Sequence, residues 1–241
     1  MNGKFRIITL LFSAAICFCT LSCQKDDALY YNNMTMGNIV DGRFVSDQGN
    51  IFNIEEQAYN FRLDTMKRAI IICDVLNSVP GTENEYDIKL NQAAPVFTKK
   101  PVSLENATAP EILTEDPIHI ESYWYSGGYI NMLLRLHLPK SSTKQHMVNL
   151  VYSSSEAGKY TFNLRHNAFG EDVTANDTDI IVAQSYVSFP ISSVIKEDKA
   201  SITLNWKWFK ANGYIWANEI KEYSAVYEWT RDSFEQTSIA K

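Results

Sequence analysis

Cysteine, proline, glycine and basic residues are all scarce in this sequence. Its 241 residues include 4 Cys, 7 Pro and 10 Gly, and 22 Lys and Arg stand against 28 Asp and Glu. A chain with few Gly and Pro and with 12% aromatic residues is typical of a β-rich globular protein and not of a disordered one. Because phosphate backbones need a basic surface, the acidic balance argues against a nucleic-acid partner.

Long apolar runs are also few, and the longest lies at the amino end. Residues 7–19 are almost entirely apolar and follow the basic residues Lys4 and Arg6. A hydrocarbon layer of about 30 Å needs about 20 apolar residues, so this run is too short for a transmembrane anchor. The order of charge, apolar stretch and small residues predicts that residues 1–22 are a signal peptide.

The residue that follows this cleavage site is Cys23. Residues 21–23 resemble the bacterial lipobox, in which the cysteine thiol receives a diacylglycerol, although Thr20 stands where Leu is usual. Acyl chains contribute about 0.8 kcal/mol per buried CH₂, and several together hold a protein stably at a membrane. We therefore expect lipidation at Cys23, with residues 23–33 as a lipidated tether. An ordinary signal peptide with a chance cysteine is the alternative.

The mature chain is predicted to be anchored by lipid and not by charge. Loss of Lys4 and Arg6 leaves 20 basic against 28 acidic residues, a net charge of −8, which disfavours electrostatic binding to a membrane. The polar run at residues 24–27 resembles a signal that sends lipoproteins to the outer face of the cell. We expect a surface-exposed location on the outer membrane, and a periplasm-facing one is the alternative.

The mature chain has no pair of cysteines for an intramolecular disulfide. Cys17 and Cys19 leave with the signal peptide and Cys23 is lipidated, so Cys73 remains alone. It lies in an apolar run at residues 69–73, which predicts a buried, inert thiol.

Short strands with explicit turns are predicted over residues 34–108. Asp41-Gly42 is a strong hairpin signal. Roughly five such strands in about 60 residues predict a small OB-like β-barrel. The only helical stretch we expect is residues 55–61, and the proline-containing residues 94–110 are expected to complete this domain and lead into a linker.

Longer strands are predicted over residues 109–241. Their period-two alternation, with about seven strands and hairpin turns, predicts an antiparallel β-sandwich, so the fold class is all-β. Trp124, Trp206 and Trp208 lie on the apolar faces of their strands and are predicted to be core residues.

Four sequence blocks of the second half, at residues 117–124, 126–131, 162–167 and 187–190, occur together with a block at 36–40 and the lipobox. In this order they resemble the NigD-like lipoproteins. The resemblance implies an N-terminal OB-like domain joined to a C-terminal β-sandwich. It also implies an immunity-like role against a bacteriocin, proposed for the family by gene association, and it supplies no catalytic residues.

The histidines are weak candidates for a metal site. His137 and His146 flank a turn, so they are expected to approach each other across a hairpin, and Glu121 is expected to share a strand face with His119. A zinc site needs three or four converging ligands, and the sequence has neither a His-Glu-x-x-His helix nor paired Cys-x-x-Cys motifs. We predict no metal and no cofactor.

Two groups of residues are candidates for a binding surface. Arg165 and His166 form a possible recognition edge at the end of a strand, and the alternative is that Arg165 pairs with a carboxylate while Asn167 caps a turn. Tyr214 and Trp216 follow a turn in a polar stretch, where exposed rings can stack on sugars or contact a protein.

Enzymatic chemistry has little support in the sequence. It contains no Gly-x-Ser-x-Gly motif and no Gly-rich phosphate loop, and spacing singles out no carboxylate pair for glycoside hydrolysis. We predict no catalytic residues and expect a non-enzymatic binding module for an extracellular protein or glycan. A structural or assembly subunit of a surface complex is the alternative, and a hydrolase is less favoured.

Overall fold

The computed structural model describes residues 34–172, 180–212 and 215–231, with side chains except those of residues 208–221 and 223. The regular secondary structure of this part of the chain is almost entirely β-strand, which confirms the all-β fold class. It contains one short helix, α1 (Pro110–Leu113). The strands are β1 (Thr35–Val40), β2 (Arg43–Ser46), β3 (Ile51–Gln57), β4 (Arg68–Ser78), β5 (Glu85–Pro95), β6 (Phe97–Thr98), β7 (Val102–Ser103), β8 (His119–Ser126), β9 (Tyr129–Pro139), β10 (Met147–Glu156), β11 (Lys159–Asn167), β12 (Ile180–Pro190), β13 (Lys199–Asn212) and β14 (Ile215–Thr230).

The first five strands form a closed barrel in the order β1-β2-β3-β5-β4, and pairing of β1 with β4 closes it. The hairpin between β1 and β2 turns at Asp41 and Gly42, whose φ angles of 52° and 78° suit a tight two-residue turn. Phe44, Phe52 and Ile71 fill the interior. The OB-like barrel predicted from the sequence is confirmed.

Cys73 lies in the barrel core, as the sequence predicts. The residue is fully buried beside apolar neighbours. Burial raises the pKa of its thiol to about 11, and the adjacent Asp74 adds to the shift. The thiol is therefore protonated and shielded at neutral pH.

The prediction of a helix at residues 55–61 is wrong. Strand β3 continues to Gln57 because it pairs in parallel with β5, and the amide of Ala58 still donates to the carbonyl of Leu90 at 2.8 Å. These sheet hydrogen bonds satisfy backbone groups that a helix would otherwise pair internally. A single 3₁₀ turn at Leu63–Thr65 follows.

The remaining strands form a sandwich of two sheets. One sheet has the order β14-β13-β11-β10-β7 and the other the order β6-β12-β9-β8. Apolar side chains from both inner faces form one large core that includes Ile130, Phe162, Phe189, Leu204 and Trp206. The core position predicted for Trp206 is confirmed, and the side chain of Trp208 lies outside the described set.

The segment predicted as domain end and linker contributes strands to the sandwich. β6 pairs in parallel with β12, and β7 pairs in parallel with β10. Both are edge strands of two residues, which suits a segment with prolines, because proline cannot donate to a sheet ladder. These strands precede residue 109, where the sequence predicts that the second domain begins.

Trp124 is not in the sandwich core, so that prediction is wrong. A bulge between Ile120 and Ser122 shifts the register of β8 against β9. The extra residue reverses the alternation, so that Tyr125 points into the sandwich core while Trp124 points to the opposite side. Trp124 packs there against Met36, Ile70 and Val96 at the contact with the barrel.

A buried polar network joins the barrel to the four-stranded sheet. Arg68 of β4 is 1% exposed, and its guanidinium donates to both carboxylate oxygens of Asp47 at 2.8 and 2.6 Å. It also donates to Ser188 at 2.9 Å and to Asn131 at 3.0 Å, and Ser126 donates to Asp47 at 2.6 Å. The barrel thus packs on the outer face of the four-stranded sheet, and the outer face of the five-stranded sheet lies on the other side of the sandwich.

Candidate functional site

Strands β11 and β13 separate toward their carboxyl ends, and this separation creates the site. They pair in parallel from Lys159 opposite Ser201 to Asn163 opposite Asn205. Beyond that point residues 115–118 lie between them: Glu115 forms a bridge with His166, and the amide of Ile118 donates to the carbonyl of Lys207 at 3.1 Å.

The segment that contains these residues, 104–118, is named the strap. Its helix α1 contacts β10 and β11, and the side chain of Asn167 donates to the carbonyl of Glu111 at 3.3 Å. The strap therefore covers part of the outer face of the five-stranded sheet, which explains why Asn149 and Val151 are buried on that face.

The outer face of β11, β13 and β14 carries a group of short uncharged polar side chains, with Lys159, Val226 and Glu228 beside them. Alternation places them opposite the core residues of β11, β13 and β14. Asn205 donates to Asn163 across the strand pair at 3.2 Å. We name this surface the polar sheet face; it consists of Thr161, Asn163, Ser201, Thr203, Asn205 and Ser224.

A pocket of about 320 Å³ lies where the polar sheet face meets the strap. Its volume is at the lower end of the range for small-ligand sites. Two cations and two carboxylates are among its lining residues, together with two residues of the sandwich core. The lining residues are Glu115, Asn163, Leu164, Arg165, Asn205, Trp206, Lys207, Glu222 and Ser224.

Arg165 is the most enclosed charged group of this pocket. Its side chain is 17% exposed and forms an ion pair with Glu115, whose side chain is 48% exposed. Burial lowers the pKa of the guanidinium, which nonetheless stays charged. Its Nε is buried without a hydrogen-bond acceptor among the described residues. The pairing of Arg165 with a carboxylate, one of the two readings of the sequence, is confirmed, and a ligand contact at Arg165 stays a prediction.

His166 does not belong to a surface, which corrects its assignment as a binding residue. It is 2% exposed and points to the side of β11 opposite Arg165. Its Nδ1 lies 3.2 Å from the carbonyl of Pro117, and its Nε2 lies 3.1 Å from Nδ1 of His146. Burial, followed by the neighbouring His146, lowers the pKa of His166 to about 4.

The turn after His166 has the conformation predicted in the structural reading of this segment. Asn167 accepts a hydrogen bond from the amide of Phe169 at 2.7 Å. Phe169 and Gly170 have φ angles of 52° and 79°, which complete the turn. Asn167 is buried and ends β11. Of the recognition edge predicted at residues 165 and 166, Arg165 is therefore the residue that remains a candidate for ligand contact.

The histidines pair differently from the sequence prediction. β9 and β10 belong to different sheets, so His137 does not meet His146 across a hairpin. His146 instead contacts His166 and, through Nε2, a carboxylate oxygen of Glu171 at 3.0 Å. Glu121 forms an ion pair with Arg135, which lies opposite His119. No group of three or more His, Cys, Asp or Glu side chains within the described ranges is arranged to hold a metal ion.

Three other candidate residues cannot be placed. Cys23 and Tyr214 lie outside the described residues. The backbone of Trp216 is part of β14, opposite Ala211, but its side chain is outside the described set. Lipidation at Cys23 and contacts by Tyr214 and Trp216 therefore stay predictions.

Of the nine lining residues, the sequence assigned only Arg165 to a binding site; the polar strand residues that it missed include Asn163, Asn205, Lys207 and Glu222. The signal was present, because each occupies a polar position that alternates with apolar ones along its strand. What a single sequence does not show is the parallel pairing of β11 with β13, two strands separated by β12, which brings these side chains together.

A second, smaller cavity of about 180 Å³ lies between the barrel and the sandwich. Half of its lining residues are apolar or aromatic, including Met36, Ile70, Trp124 and Tyr186, and Asp47 contributes a carboxylate that Arg68 already engages. This cavity belongs to the contact between the two modules.

Comparison with known proteins identifies the second half of the chain. Residues 100–217 match the model of the NigD-like C-terminal beta sandwich domain. No curated protein matches the chain. Among the described residues, no helix has the length and apolar character needed to cross a membrane.

Three solved structures of similar fold come from Bacteroides species. A NigD-like immunity protein from Bacteroides caccae has a TM-score of 0.61 and 18% identity, with 83% of this chain and 97% of that chain covered. A candidate lipoprotein from Bacteroides fragilis has a TM-score of 0.58 and 14% identity, covering 84% and 99%. A protein of unknown function from Bacteroides vulgatus has a TM-score of 0.58 and 18% identity, covering 86% and 95%. These likenesses concern the fold.

Proposed function

The chain belongs to the NigD-like family, and on that premise we propose that it is a lipid-anchored extracytoplasmic protein that binds another macromolecule without catalysing a reaction. The observation that supports binding most is the polar sheet face with the pocket beside Arg165. This surface lies on the side of the sandwich away from the barrel, so a partner can approach it without disturbing the contact between the modules.

The charged groups of the pocket support binding more than catalysis. Glu115 is ion-paired with Arg165, and Glu222 lies directly opposite Lys207 in the pairing of β14 with β13. Each carboxylate is therefore beside a cation and serves as a charged hydrogen-bond acceptor. Glycoside hydrolysis instead requires one carboxyl group that holds a proton and a second that does not.

In this proposal a lipid on Cys23 anchors the protein, so the outer membrane is its first partner. The leader and lipobox support it, as does the likeness to a candidate lipoprotein. Cells that express the wild-type chain should incorporate labelled palmitate into it, whereas Cys23→Ser should not. Protease treatment of intact cells should remove the wild-type protein if it faces outward, and its survival would instead indicate a periplasm-facing location.

Photo-crosslinking in cells tests binding at the polar sheet face. A photoreactive residue at Ser224, exposed beside the pocket, is compared with one at Asn77, which is exposed on β4 of the barrel. We expect Ser224 to give a discrete adduct of higher mass that the Asn77 control lacks. Equal adducts at both positions, or none at either, would contradict a binding role for this face.

An immunity-like role is the second candidate, and the observation that favours it is the likeness to a NigD-like immunity protein. In an immunity-like role, the partner that the protein binds would be a toxin protein. Expression of the wild-type chain in bacteriocin-sensitive cells should then raise survival, and Arg165→Ala should reduce that protection more than Arg43→Ala, a control arginine exposed on the barrel. Survival unchanged by the wild-type chain would remove this candidate.

A further inference from the structure

The polar sheet face has a chemical character that narrows the kind of partner it fits. Its six side chains are hydroxyls and carboxamides, and the charged groups beside them are already engaged: Lys159 pairs with Glu156, and Glu228 accepts a hydrogen bond from Ser201 at 2.8 Å. A hydroxyl or a carboxamide both donates and accepts hydrogen bonds, whereas a lysine only donates and a carboxylate only accepts. We infer that this face binds a neutral, hydroxyl-rich glycan chain, with the pocket beside Arg165 as the subsite for one sugar; the inference rests on the proposed binding function.

The side chains of the face are short as well as neutral. Ser, Thr and Asn lose less rotamer freedom on binding than Lys, Arg, Gln or Glu do. A repeated ligand that lies along β11 and β13 therefore meets successive donor–acceptor groups at a small entropic cost. Asn163 and Asn205 already show such pairing, since the amide of Asn205 donates to the carbonyl oxygen of Asn163 at 3.2 Å.

The pocket at the end of the face has balanced charge. Arg165 is paired with Glu115, and Lys207 lies opposite Glu222. Two cations and two carboxylates cancel, so the pocket offers no net charge to an ionic ligand. Vicinal hydroxyls of one sugar match such an arrangement, because one oxygen can accept from Arg165 or Lys207 while a neighbouring hydroxyl donates to Glu115 or Glu222.

Two polar side chains near the strap, one of them in the pocket lining, have atoms without hydrogen-bond partners among the described residues. Asn149 lies directly opposite Arg165 in the pairing of β10 with β11, and it is 1% exposed. Neither atom of its carboxamide, nor Nε of Arg165, has a hydrogen-bond partner among the described residues. Arg165 lines the pocket whereas Asn149 does not, so Nε of Arg165 is the group from which a ligand hydroxyl can accept a hydrogen bond.

A protein partner fits this face less well. Protein interfaces depend on buried Trp, Tyr and Arg anchors. Within the described part of the outer face of β11, β13 and β14, the exposed large apolar side chain is Val226, which is 69% exposed, and Arg165 is engaged by Glu115. Leu164 and Trp206 are among the lining residues of the pocket, but both are buried in the sandwich core and add no exposed anchor to the face.

Binding of the purified full mature chain to an array of neutral and acidic glycans tests the inference. We expect binding to neutral glycans, and we expect Asn163→Ala/Asn205→Ala to weaken the apparent Kd at least about tenfold, since two hydrogen-bonding groups are lost. The control Asn60→Ala/Asn77→Ala removes two exposed asparagines from the barrel and should bind as the wild type does.

A second variant addresses the case in which the double substitution disturbs the fold. Ser224 is exposed on the same face, and Ser224→Trp fills the space above Asn205 without removing a core group. This variant should unfold at the temperature of the wild type and bind neutral glycans at least about tenfold more weakly. Wild-type affinity in Ser224→Trp would place binding elsewhere and overturn the inference.

The remaining outcomes separate this inference from the binding function itself. If the array shows no binding, or binding only to acidic glycans, the inference of a neutral glycan ligand is wrong. If protease then destroys the photo-adduct at Ser224 and periodate does not, the bound partner is a protein. In that case the proposed binding function is retained and the inference of a glycan partner is wrong. If Ser224 gives no adduct and the array shows no binding, both fall.

Discussion

The guanidinium of Arg68 in the barrel donates to the side-chain carbonyl of Asn131 in the sandwich across 3.0 Å, and both residues are buried. Ser188 of the sandwich accepts a further hydrogen bond from the same guanidinium, at 2.9 Å. Either module alone would leave part of this network unpaired, which costs free energy. The two modules are therefore expected to unfold as one cooperative unit.

Replacement of Arg68 tests this coupling. Arg68→Met leaves Asp47 buried with its charge uncompensated, so the free energy of unfolding should fall by about 3–5 kcal/mol. Urea unfolding followed by circular dichroism and by tryptophan fluorescence measures the change. In the wild type both signals should change at the same urea concentration.

The double variant Arg68→Met/Asp47→Leu provides the control for the uncompensated charge. It removes both ions, so it should be more stable than Arg68→Met alone. If the single variant unfolds at the same urea concentration as the wild type, the network does not link the two modules.

Gly37 is predicted to be the least replaceable glycine of the barrel. A Cβ there would lie 2.2 Å from the carbonyl oxygen of Val45 and 2.7 Å from the ring of Phe44. Gly37→Ala should therefore lower the free energy of unfolding by about 3 kcal/mol, because backbone cannot move aside cheaply. Gly42→Ala is the control: its φ of 78° is unfavourable but the space is open, so it should cost about 1 kcal/mol. The reverse order of stabilities would contradict this packing.

His137 makes the stability depend on pH. The residue is buried, and burial, with smaller effects of His119 and Arg135, lowers its pKa to about 4. The unfolded chain, with a pKa near 6.5, binds a proton first as the pH falls, so stability is full above about pH 6.5 and is lost as the pH falls toward 4. Between pH 7 and pH 5 this residue alone should reduce the free energy of unfolding by about 1–2 kcal/mol.

Urea unfolding at these two pH values, compared with His137→Gln, measures that effect. The variant removes the titrating group, so its stability should fall less than that of the wild type over the same interval. His166, whose pKa is also lowered to about 4 by burial, contributes in the same direction in both proteins. An equal loss in the wild type and the variant would show that His137 is not the group responsible.

Cys73 should resist thiol reagents in the folded protein. The thiolate is the reactive form, and the thiol is buried with a pKa of about 11. We expect labelling by a neutral maleimide at pH 7 to be slower by about two orders of magnitude or more than in urea-unfolded protein. Cys73→Ser in the same assay identifies the labelled residue, and rapid labelling of the folded wild type would mean that the barrel opens readily.

Local signals in the sequence predict much of the fold. The Asp41-Gly42 turn and the alternation along β5 and β13 are properties of adjacent residues, so they can be read directly. The bulge in β8 cannot, because one extra residue reverses which side Trp124 faces without changing its neighbours in sequence. The burial of Arg68 depends on four acceptors brought from distant strands, and nothing beside Arg68 in the sequence indicates it.

The candidate site was predictable only in part. Arg165 was identified because a charged group ends a strand. Its neighbour His166 was misassigned, because β11 continues to Asn167 and alternation turns His166 away from the surface. The other polar groups come from β13, β14 and the strap, whose pairing with β11 spans dozens of residues, and contacts of this kind are not encoded in any local pattern.

The most direct test of the binding account combines the photoreactive residue at Ser224 with the substitutions Asn163→Ala/Asn205→Ala in living cells. The account predicts a discrete adduct in the wild-type background, its loss in the double variant, and its retention with Asn60→Ala/Asn77→Ala. An adduct of equal yield in all three backgrounds would contradict it, because the partner would then bind without the polar sheet face.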